Sequence, residues 1–346
     1  MHDRNGLALR YPDPAPHSRP RTLRPDAGDA VIDAFEQLLV DTIGGHVYDP
    51  ATACAELSGG MDSANVAATL GVLHPHQVET AAMIVLSDAG CQQARRRDGF
   101  IGRLALGADT TVPLGRHLPF CPSGPRGPYD DVYSEAQAAM LAQLAVHGIR
   151  TVFTGIGGDE MLARTADEWE LLPAGTAMEP TPWIGDRTLA GLKETDKGIA
   201  PATVVNEMTL SAQACAAPAF LRAGMWPTHP LSDPRLIRFG EWLPWEWRSH
   251  KRLFRARLER RGCHGELIHP PLSENFAPTM RAGLRRHGVA HVDMMLRGGS
   301  PLIDGGYLRP DGLAAARDRL AAGEYVERDA ELCAALALDQ TLRAFS

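Results

Sequence analysis

The stretch TACAELSGGMDS, residues 52–63, decides the fold, because an apolar run, a glycine-rich turn and the start of a second apolar stretch follow one another in it. Residues 52–57 are typical of a short buried strand, and the apolar stretch over residues 64–73 predicts a helix. Gly59 and Gly60 allow a ligand to approach the backbone closely, and the N–H groups at the start of a helix attract anions. The stretch therefore predicts a strand, an anion-binding turn and a helix.

The same order of elements repeats along the first half of the chain. Further strands are predicted over residues 81–86, 110–114 and 151–154, and helices over residues 29–44, 92–106 and 134–147. Strands that alternate with helices are typical of a parallel, doubly wound α/β sheet, in which ligands bind beyond the carboxyl ends of the strands. A second glycine-rich turn, TGIGGDE at residues 154–160, follows the last of these strands. We therefore expect both turns to lie in one crevice.

The second half of the chain has a helical pattern. Past residue 164 no further strand is predicted, and helical spacing occurs over residues 204–214, 234–243, 250–261, 279–287, 312–322 and 327–343. The expected organisation is an irregular N-terminal arm over residues 1–28, an α/β domain over 29–165, a long loop or lid over 166–202 and a mainly helical part over 203–346.

The composition disfavours several classes of function. The 346 residues include 35 Lys and Arg against 42 Asp and Glu, and the resulting net charge of -7 disfavours binding to nucleic acid. No stretch is apolar enough to span a bilayer, and the N-terminus has no apolar signal segment. The six cysteines are scattered without zinc-binding spacing, so reduced thiols and a cytoplasmic location are expected.

Four motifs resemble one family. The SGGMDS turn at residues 58–63 is similar to the pyrophosphate-binding loop of the ATP pyrophosphatase, or PP-loop, superfamily. The second turn resembles a segment of the synthetase domain of asparagine synthetase, a subgroup that includes β-lactam synthetases and lasso-peptide cyclases. PLSDP at residues 230–234 and HKRLFR at residues 250–255 are similar to two further segments of that domain. The resemblance implies a parallel sheet of the adenine nucleotide α-hydrolase type, followed by a mainly helical C-terminal domain.

The resemblance also implies an ATP- and Mg²⁺-dependent ligase. In the family, two loop aspartates hold Mg²⁺ against the ATP phosphates, and these correspond to Asp62 and Asp159. Magnesium suits this arrangement, since it takes one or two carboxylates together with phosphate oxygens. In the implied reaction a substrate carboxylate attacks the α-phosphorus of ATP and pyrophosphate leaves on the first turn. An amine then attacks the carbonyl of the acyl-adenylate and expels AMP, which leaves an amide. The residues implied to bind ATP are Leu57, Ser58, Gly59, Gly60, Asp62, Ser63, Gly155, Gly157 and Gly158.

Two positions depart from the family pattern. Ile156 stands where related enzymes carry a tyrosine or glutamate, and Ser273 stands where they carry a lysine that neutralises charge during adenylation. Lys251, or an arginine such as Arg281, is the candidate to replace that lysine. Glu194 or Asp186, in the long loop, is the candidate for the missing base. The expected catalytic residues are therefore Lys251 and Glu194.

The source of the amine is left open by the resemblance. The segment before residue 58 is too short for the N-terminal glutaminase domain of asparagine synthetase, and residue 2 is His2 rather than a catalytic cysteine. We therefore expect free ammonia, an amine on the substrate, or an amine delivered by a separate protein.

The expected substrates are a small-molecule or peptide carboxylate and an amine, in specialised metabolite biosynthesis. A peptide macrolactam cyclase of the lasso type, with a precursor-binding partner, is one alternative, because residues 302–343 resemble the C-terminal helices of such cyclases. An ammonia-dependent enzyme similar to asparagine synthetase is another. The last alternative is a degenerate protein that binds nucleotide as a partner of another protein. Neither nucleic acid nor a membrane is expected as a partner.

Overall fold

A five-stranded parallel sheet forms the centre of the computed structural model, which describes residues 2–3, 6–7, 28–121, 130–164, 168, 179–192, 205 and 207–344. Its strands run in the order β3-β2-β1-β4-β5, and every neighbouring pair is parallel. The sequence prediction of a parallel α/β sheet is thus confirmed. The strands are β1 (Ala53–Glu56), β2 (Glu79–Ile84), β3 (Asp109–Pro113), β4 (Thr151–Phe153) and β5 (Trp226–Thr228).

The strand order reverses between β1 and β4. From β1 the chain moves outward to β2 and β3, and it then crosses to the other side of β1 to form β4 and β5. Ala53 pairs with Thr151 and Ala55 with Phe153, so the carboxyl ends of the two central strands lie level. Crossovers that leave in opposite directions open a crevice at this edge of a sheet. The two glycine-rich turns both begin at that crevice.

Strand β5 was missed by the sequence pattern, and the prediction that no strand follows residue 164 is wrong. The strand has only three residues, which is too short for an alternating pattern, and the second of them is Pro227. It pairs with β4 alone at the edge of the sheet. Proline is tolerated at an edge because one side of the strand needs no N–H donor.

The helices of the first half lie close to their predicted positions. They are α1 (Gly28–Gly44), α2 (Met61–Leu73), α3 (Asp88–Arg103), α4 (Ser134–Val146) and the single turn α5 (Gly158–Met161). Helix α2 is buried on nearly all sides, because it packs between the sheet, α1 and a helix of the second half. This explains why apolar residues occur around the whole helix rather than along one face of it.

The described part of the second half holds ten helices, whereas the sequence pattern predicted six helical segments. The ten are α6 (Asp186–Leu192), α7 (Glu207–Arg222), α8 (Pro234–Trp242), α9 (Trp245–Arg248), α10 (Arg252–Arg260), α11 (Ala277–Gly283), α12 (Val289–Gly298), α13 (Pro301–Asp304), α14 (Pro310–Ala321) and α15 (Leu332–Ala344). Of these, α6, α9, α12 and α13 were missed. Helix α7 continues past the predicted end at residue 214, through Pro218. Helix α10 begins two residues late, because His250 and Lys251 both have positive φ angles. A five-residue π turn, Leu284–Gly288, joins α11 to α12.

Three hydrophobic clusters hold these layers together. The first lies on one face of the sheet and joins α1 and α2 to residues of α8 and α10, such as Phe239 and Phe254. The second lies on the other face, against α4 and α7, and the third joins the C-terminal helices around Trp183. Helices from the predicted helical part thus share a core with the predicted α/β part. The domain boundaries themselves stay a prediction.

Within the segment predicted as a long loop or lid, the described residues 181–192 pack against the C-terminal helices. The described residues 181–192 include α6 and the buried side chain of Trp183. The Gly185 N–H donates to the Tyr307 carbonyl at 2.8 Å, and Ile184 forms a β-bridge with Leu308. The rest of this segment, including Glu194, lies outside the described residues.

Three observations concern the remaining expectations. Residues 2–3 and 6–7, within the predicted irregular arm, form a short antiparallel pair. Among the described residues, no helix is both long enough and apolar enough to cross a membrane. All six cysteines are free thiols.

Candidate functional site

The two glycine-rich turns pack directly against each other at the carboxyl ends of β1 and β4. A Cβ atom on Gly155 would lie 2.6 Å from the Ser63 backbone nitrogen, and one on Gly158 would lie 2.5 Å from Asp62 Cγ. Real Cβ atoms do not approach other atoms so closely, so both positions require glycine. The second turn therefore fixes the start of α2 and the Asp62 side chain.

The first turn is closed by its own hydroxyl groups. The Ser58 N–H donates to Ser63 Oγ at 3.2 Å, and the two serine Oγ atoms lie 3.0 Å apart. The Ser63 hydroxyl also donates to the Gly60 carbonyl at 3.2 Å, while Gly59 adopts a φ of 91°. Gly60 is the N-cap of α2 and offers no side chain to its first N–H groups. The first-turn N–H groups of a helix have no partner within the helix, so this turn is shaped to receive an anion.

Two carboxylates meet one ammonium group beside the turns. Lys251 Nζ lies 2.7 and 2.8 Å from the two carboxylate oxygens of Asp62 and 2.7 Å from Asp159 Oδ1. The side chain of Asp62 is 15% exposed, whereas that of Asp159 is 76% exposed. One positive charge therefore stands between two negative charges, and the cluster as a whole attracts a further cation.

Burial sets the ionisation of this cluster. It raises the pKa of Asp62 to about 6, against the opposing effect of Lys251 and with a further upward contribution from Asp159. Burial also lowers the pKa of Lys251, but the two aspartates outweigh it and the Lys251 pKa lies above its ordinary value. The ammonium therefore stays charged, and the carboxylate beside it is held ionised chiefly by that charge.

The backbone before α10 aims Lys251 at the carboxylates. His250 and Lys251 have φ angles of 50° and 55°, which are left-handed conformations that non-glycine residues rarely adopt. Such residues cost about 1–3 kcal/mol each and cluster at functional sites. The predicted helix start at residue 250 is instead a 3-10 turn, Ser249–Lys251, with α10 following it. The left-handed backbone at these two residues delays the start of the helix and points Lys251 toward Asp62 and Asp159.

The carboxylate pair fits a magnesium ion that is shared with phosphate. No group of three or more His, Cys, Asp or Glu side chains that could hold a metal occurs among the described residues. Mg²⁺ is ordinarily bound by one or two carboxylates, with phosphate oxygens and waters as the other ligands. Asp62 and Asp159 match that donor set. The site is thus suited to a metal that arrives with a phosphate ligand.

The third motif supports the second turn. Ser232 Oγ donates to the Ile156 carbonyl at 3.1 Å, while the Ile156 N–H donates to Thr154 Oγ1 at 3.2 Å. Thr154 Oγ1 also shares a 2.7 Å hydrogen bond with His229 Nδ1, and burial lowers the pKa of His229 to about 4. A neutral His229 can therefore orient the threonine hydroxyl across the physiological pH range. Asp233 caps α8 by accepting a hydrogen bond from the Arg235 N–H.

Most of the predicted site residues lie together. Those brought to the two turns are Ser58, Gly59, Gly60, Asp62, Ser63, Gly155, Gly157, Gly158, Asp159 and Lys251. The Leu57 side chain instead lies in the first hydrophobic cluster, and its N–H donates to the Ala81 carbonyl. Of Leu57, only the backbone atoms other than the N–H group are left to contact a ligand.

The other candidates lie elsewhere. Arg281 stacks on the ring of Tyr325 at 4.5 Å, and Asp186 begins a helix that is hydrogen-bonded to the backbone around Tyr307. Ser273 is exposed, and Glu194 lies outside the described residues. Of the two side chains predicted to replace the lysine of the family pattern, Lys251 and Arg281, Lys251 is therefore the one that lies at the turns.

Sequence reasoning missed three side chains around the first turn. The Gln93 amide donates to the Ser58 carbonyl at 2.7 Å and accepts from the Val85 N–H at 2.8 Å, tying the turn to the end of β2. Arg96 and Glu274 form a buried pair beside Gly59. Gln93 and Arg96 belong to a polar helix whose sequence, DAGCQQARRRDGFIGR, gives no sign of which polar residues are buried. The one available signal was that Glu274 directly follows Ser273, one of the two departures from the family pattern.

Comparison with known proteins supplies no relative: the sequence matches no family model and no curated protein.

Proposed function

We propose that this chain is an ATP- and Mg²⁺-dependent ligase that adenylates a carboxylate, releases pyrophosphate and transfers the acyl group to an amine. The observation that carries the proposal is the convergence of Asp62 and Asp159 on one cation, beside an anion-binding turn at the reversal of strand order. This is where doubly wound sheets bind nucleotides. We infer that the sheet is of the PP-loop type.

Each part of the site has a role in this proposal. The N–H groups at the start of α2 and the hydroxyls of Ser58 and Ser63 bind the phosphates of ATP and then the departing pyrophosphate. Asp62 and Asp159 would hold Mg²⁺, which neutralises phosphate charge when it is bound. Lys251, once released from the two carboxylates, supplies a further positive charge to the phosphates. Catalysis would thus come mainly from positioning and from fixed charges.

The proposal is tested by measuring pyrophosphate release from ATP and Mg²⁺ over a panel of amino acids, aryl acids and peptide acids, with hydroxylamine as the acceptor. We expect release that depends on one class of acid and that falls at least about a hundredfold in Asp62→Asn. Asp311→Asn is the control, because Asp311, in the first turn of α14, is an exposed carboxylate paired with Arg309. Release that survives Asp62→Asn unchanged would contradict the proposal.

The same panel separates the alternatives. Release that requires aspartate and ammonia would indicate an enzyme similar to asparagine synthetase. Release that requires a peptide acid bearing its own amine would indicate a macrolactam cyclase. Nucleotide binding without release for any acid would favour a nucleotide-binding partner protein.

A further inference from the structure

The buried side chain of Arg96 faces the first turn. It is 2% exposed, and its Nε and Nη2 atoms donate to the Leu267 carbonyl at 3.2 and 2.7 Å. The third nitrogen, Nη1, donates to Glu274 Oε1 at 2.6 Å. Arg96 is therefore fixed at two nitrogens by the backbone, while the third is engaged by a side chain.

This third nitrogen lies against the turn itself. A Cβ atom on Gly59 would lie 3.8 Å from Arg96 Nη1 and 3.1 Å from Glu274 Oε2. The Glu274 side chain is 11% exposed and takes a further hydrogen bond from the Gln92 amide at 3.2 Å. A carboxylate thus stands beside a turn whose own N–H groups attract anions, and its charge is balanced by a buried guanidinium.

The two partners differ in their freedom to move. Arg96 lies within α3 and is held by the Leu267 carbonyl. Glu274 lies in an irregular segment, and the Gln92 amide holds the neighbouring Leu272 at both its N–H and its carbonyl, each at 2.9 Å. The backbone on both sides of the pair is therefore held in place, and the Glu274 side chain is the part whose rotation would free Arg96 Nη1.

We propose that Arg96 is a phosphate-binding residue of the first turn, and that Glu274 is a built-in counter-ion which a pyrophosphate-bearing ligand displaces from it. The inference rests on the proposed function, because it assumes that the turn receives the phosphates of a nucleotide or free pyrophosphate. Guanidinium groups bind phosphate oxygens with strong, directed hydrogen bonds. Arg96 would supply the fixed positive charge beside the phosphates that Ser273, which is exposed and uncharged, cannot supply.

The proposal predicts opposite effects for the two residues. Removing the Glu274 charge frees Arg96 and removes a repelling carboxylate, so Glu274→Gln is expected to bind pyrophosphate about tenfold more tightly. Removing the Arg96 charge is expected to weaken pyrophosphate binding by about ten- to a hundredfold. If the ion pair were purely structural, both variants would instead bind pyrophosphate as tightly as the unaltered chain does, or more weakly.

The experiment is titration calorimetry with inorganic pyrophosphate, at fixed Mg²⁺, on the full chain and on Glu274→Gln, Arg96→Gln and Arg96→Lys. The matched control is the double variant Arg95→Gln/Glu266→Gln, which removes a neighbouring but exposed ion pair between α3 and the 3-10 turn Gly265–Leu267. We expect the control to bind as the unaltered chain does. Thermal unfolding of each variant checks folding, and Glu274→Gln keeps the test usable if Arg96→Gln fails to fold.

The outcomes distinguish this inference from the proposed function. Unchanged or weaker pyrophosphate binding in Glu274→Gln overturns the inference, even if carboxylate-dependent pyrophosphate release is observed. Tighter binding in Glu274→Gln together with weaker binding in a folded Arg96 variant supports it, even if no acid in the panel stimulates release. Absence of pyrophosphate binding to both the unaltered chain and Glu274→Gln also overturns it.

Discussion

At the scale of single residues, the site depends on glycines that allow two turns to touch. Gly158 lies against the Asp62 side chain so closely that a methyl group in its place would overlap Asp62 Cγ. The glycine therefore has a geometric role, which is to let Asp62 and Asp159 face one cation from adjacent turns. Its contribution is to the placement of charged groups and not to the chemistry of the turn.

The first prediction follows from this overlap. In Gly158→Ala the added methyl group must displace Asp62, and we expect pyrophosphate release to fall about a hundredfold, as a 1 Å misplacement of a reacting group commonly causes. We also expect a loss of about 1–3 kcal/mol in the free energy of unfolding, from overpacking. Gly102→Ala is the control, since a Cβ there meets nothing within 4 Å and lies in α3. Full activity in Gly158→Ala would contradict the assigned geometry.

At the scale of the secondary-structure elements, short segments between the helices carry the site. The 3-10 turn Ser249–Lys251 presents Lys251, and the segment Pro230–Ser232 supports the second turn through Ser232. The cap of α8 follows this segment directly. Asp233 accepts from the Arg235 N–H and also pairs with the Arg235 side chain at 3.0 Å. We therefore assign Asp233 to the stability of α8 rather than to the reaction.

The second prediction tests whether Asp233 acts in the stability of α8 or in the reaction. Asp233→Ala removes the N-cap and is expected to lower the free energy of unfolding by about 1 kcal/mol, whereas Asp233→Asn keeps a capping oxygen and changes it little. Neither change is expected to alter pyrophosphate release at saturating ATP by more than about twofold. Denaturant unfolding and the release assay measure the two quantities on the same preparations. Loss of release in both variants without loss of stability would place Asp233 in the reaction.

At the scale of the whole molecule, the central strand carries an ionisable group inside the sheet. Glu56 follows Cys54 on the face covered by α4, and burial raises the pKa of Glu56 from 4.5 to about 7, against the opposing effect of Arg97. The folded chain therefore binds this proton more tightly than the unfolded chain does. By linkage, the contribution of Glu56 to stability falls as the pH rises from about 4.5 to about 7 and is constant above that range.

The third prediction concerns Glu56→Gln, which is neutral at every pH. We expect it to match the unaltered chain in stability near pH 4 and to exceed it by about 2 kcal/mol near pH 8, a value reduced from the full shift because Glu56 is only partly buried. Urea unfolding at several pH values between 4 and 8 measures the difference. A difference that does not change with pH would show that the carboxyl ionises normally in the folded chain.

Much of this architecture could be predicted from local patterns. The strand and turn at residues 52–63 and the second turn at residues 154–160 were recognisable because glycines and apolar runs act over a few residues. Their meeting at one edge also followed, since parallel strands end on the same side of a sheet. Strand β5 could not be found, because three residues containing Pro227 carry no periodic signal.

The sequence by itself thus determined the parallel α/β sheet, the glycine-rich turns at its edge and the carboxylates expected beside them. Only the tertiary structure decided which positively charged side chains pair with the carboxylates of the site. Lys251 and Asp62 are 189 residues apart in the chain, and Arg96 and Glu274 are 178 apart. A local pattern reports the backbone conformation of a few neighbouring residues, whereas the pairing of such distant charges depends on how the layers pack and on which polar groups that packing buries.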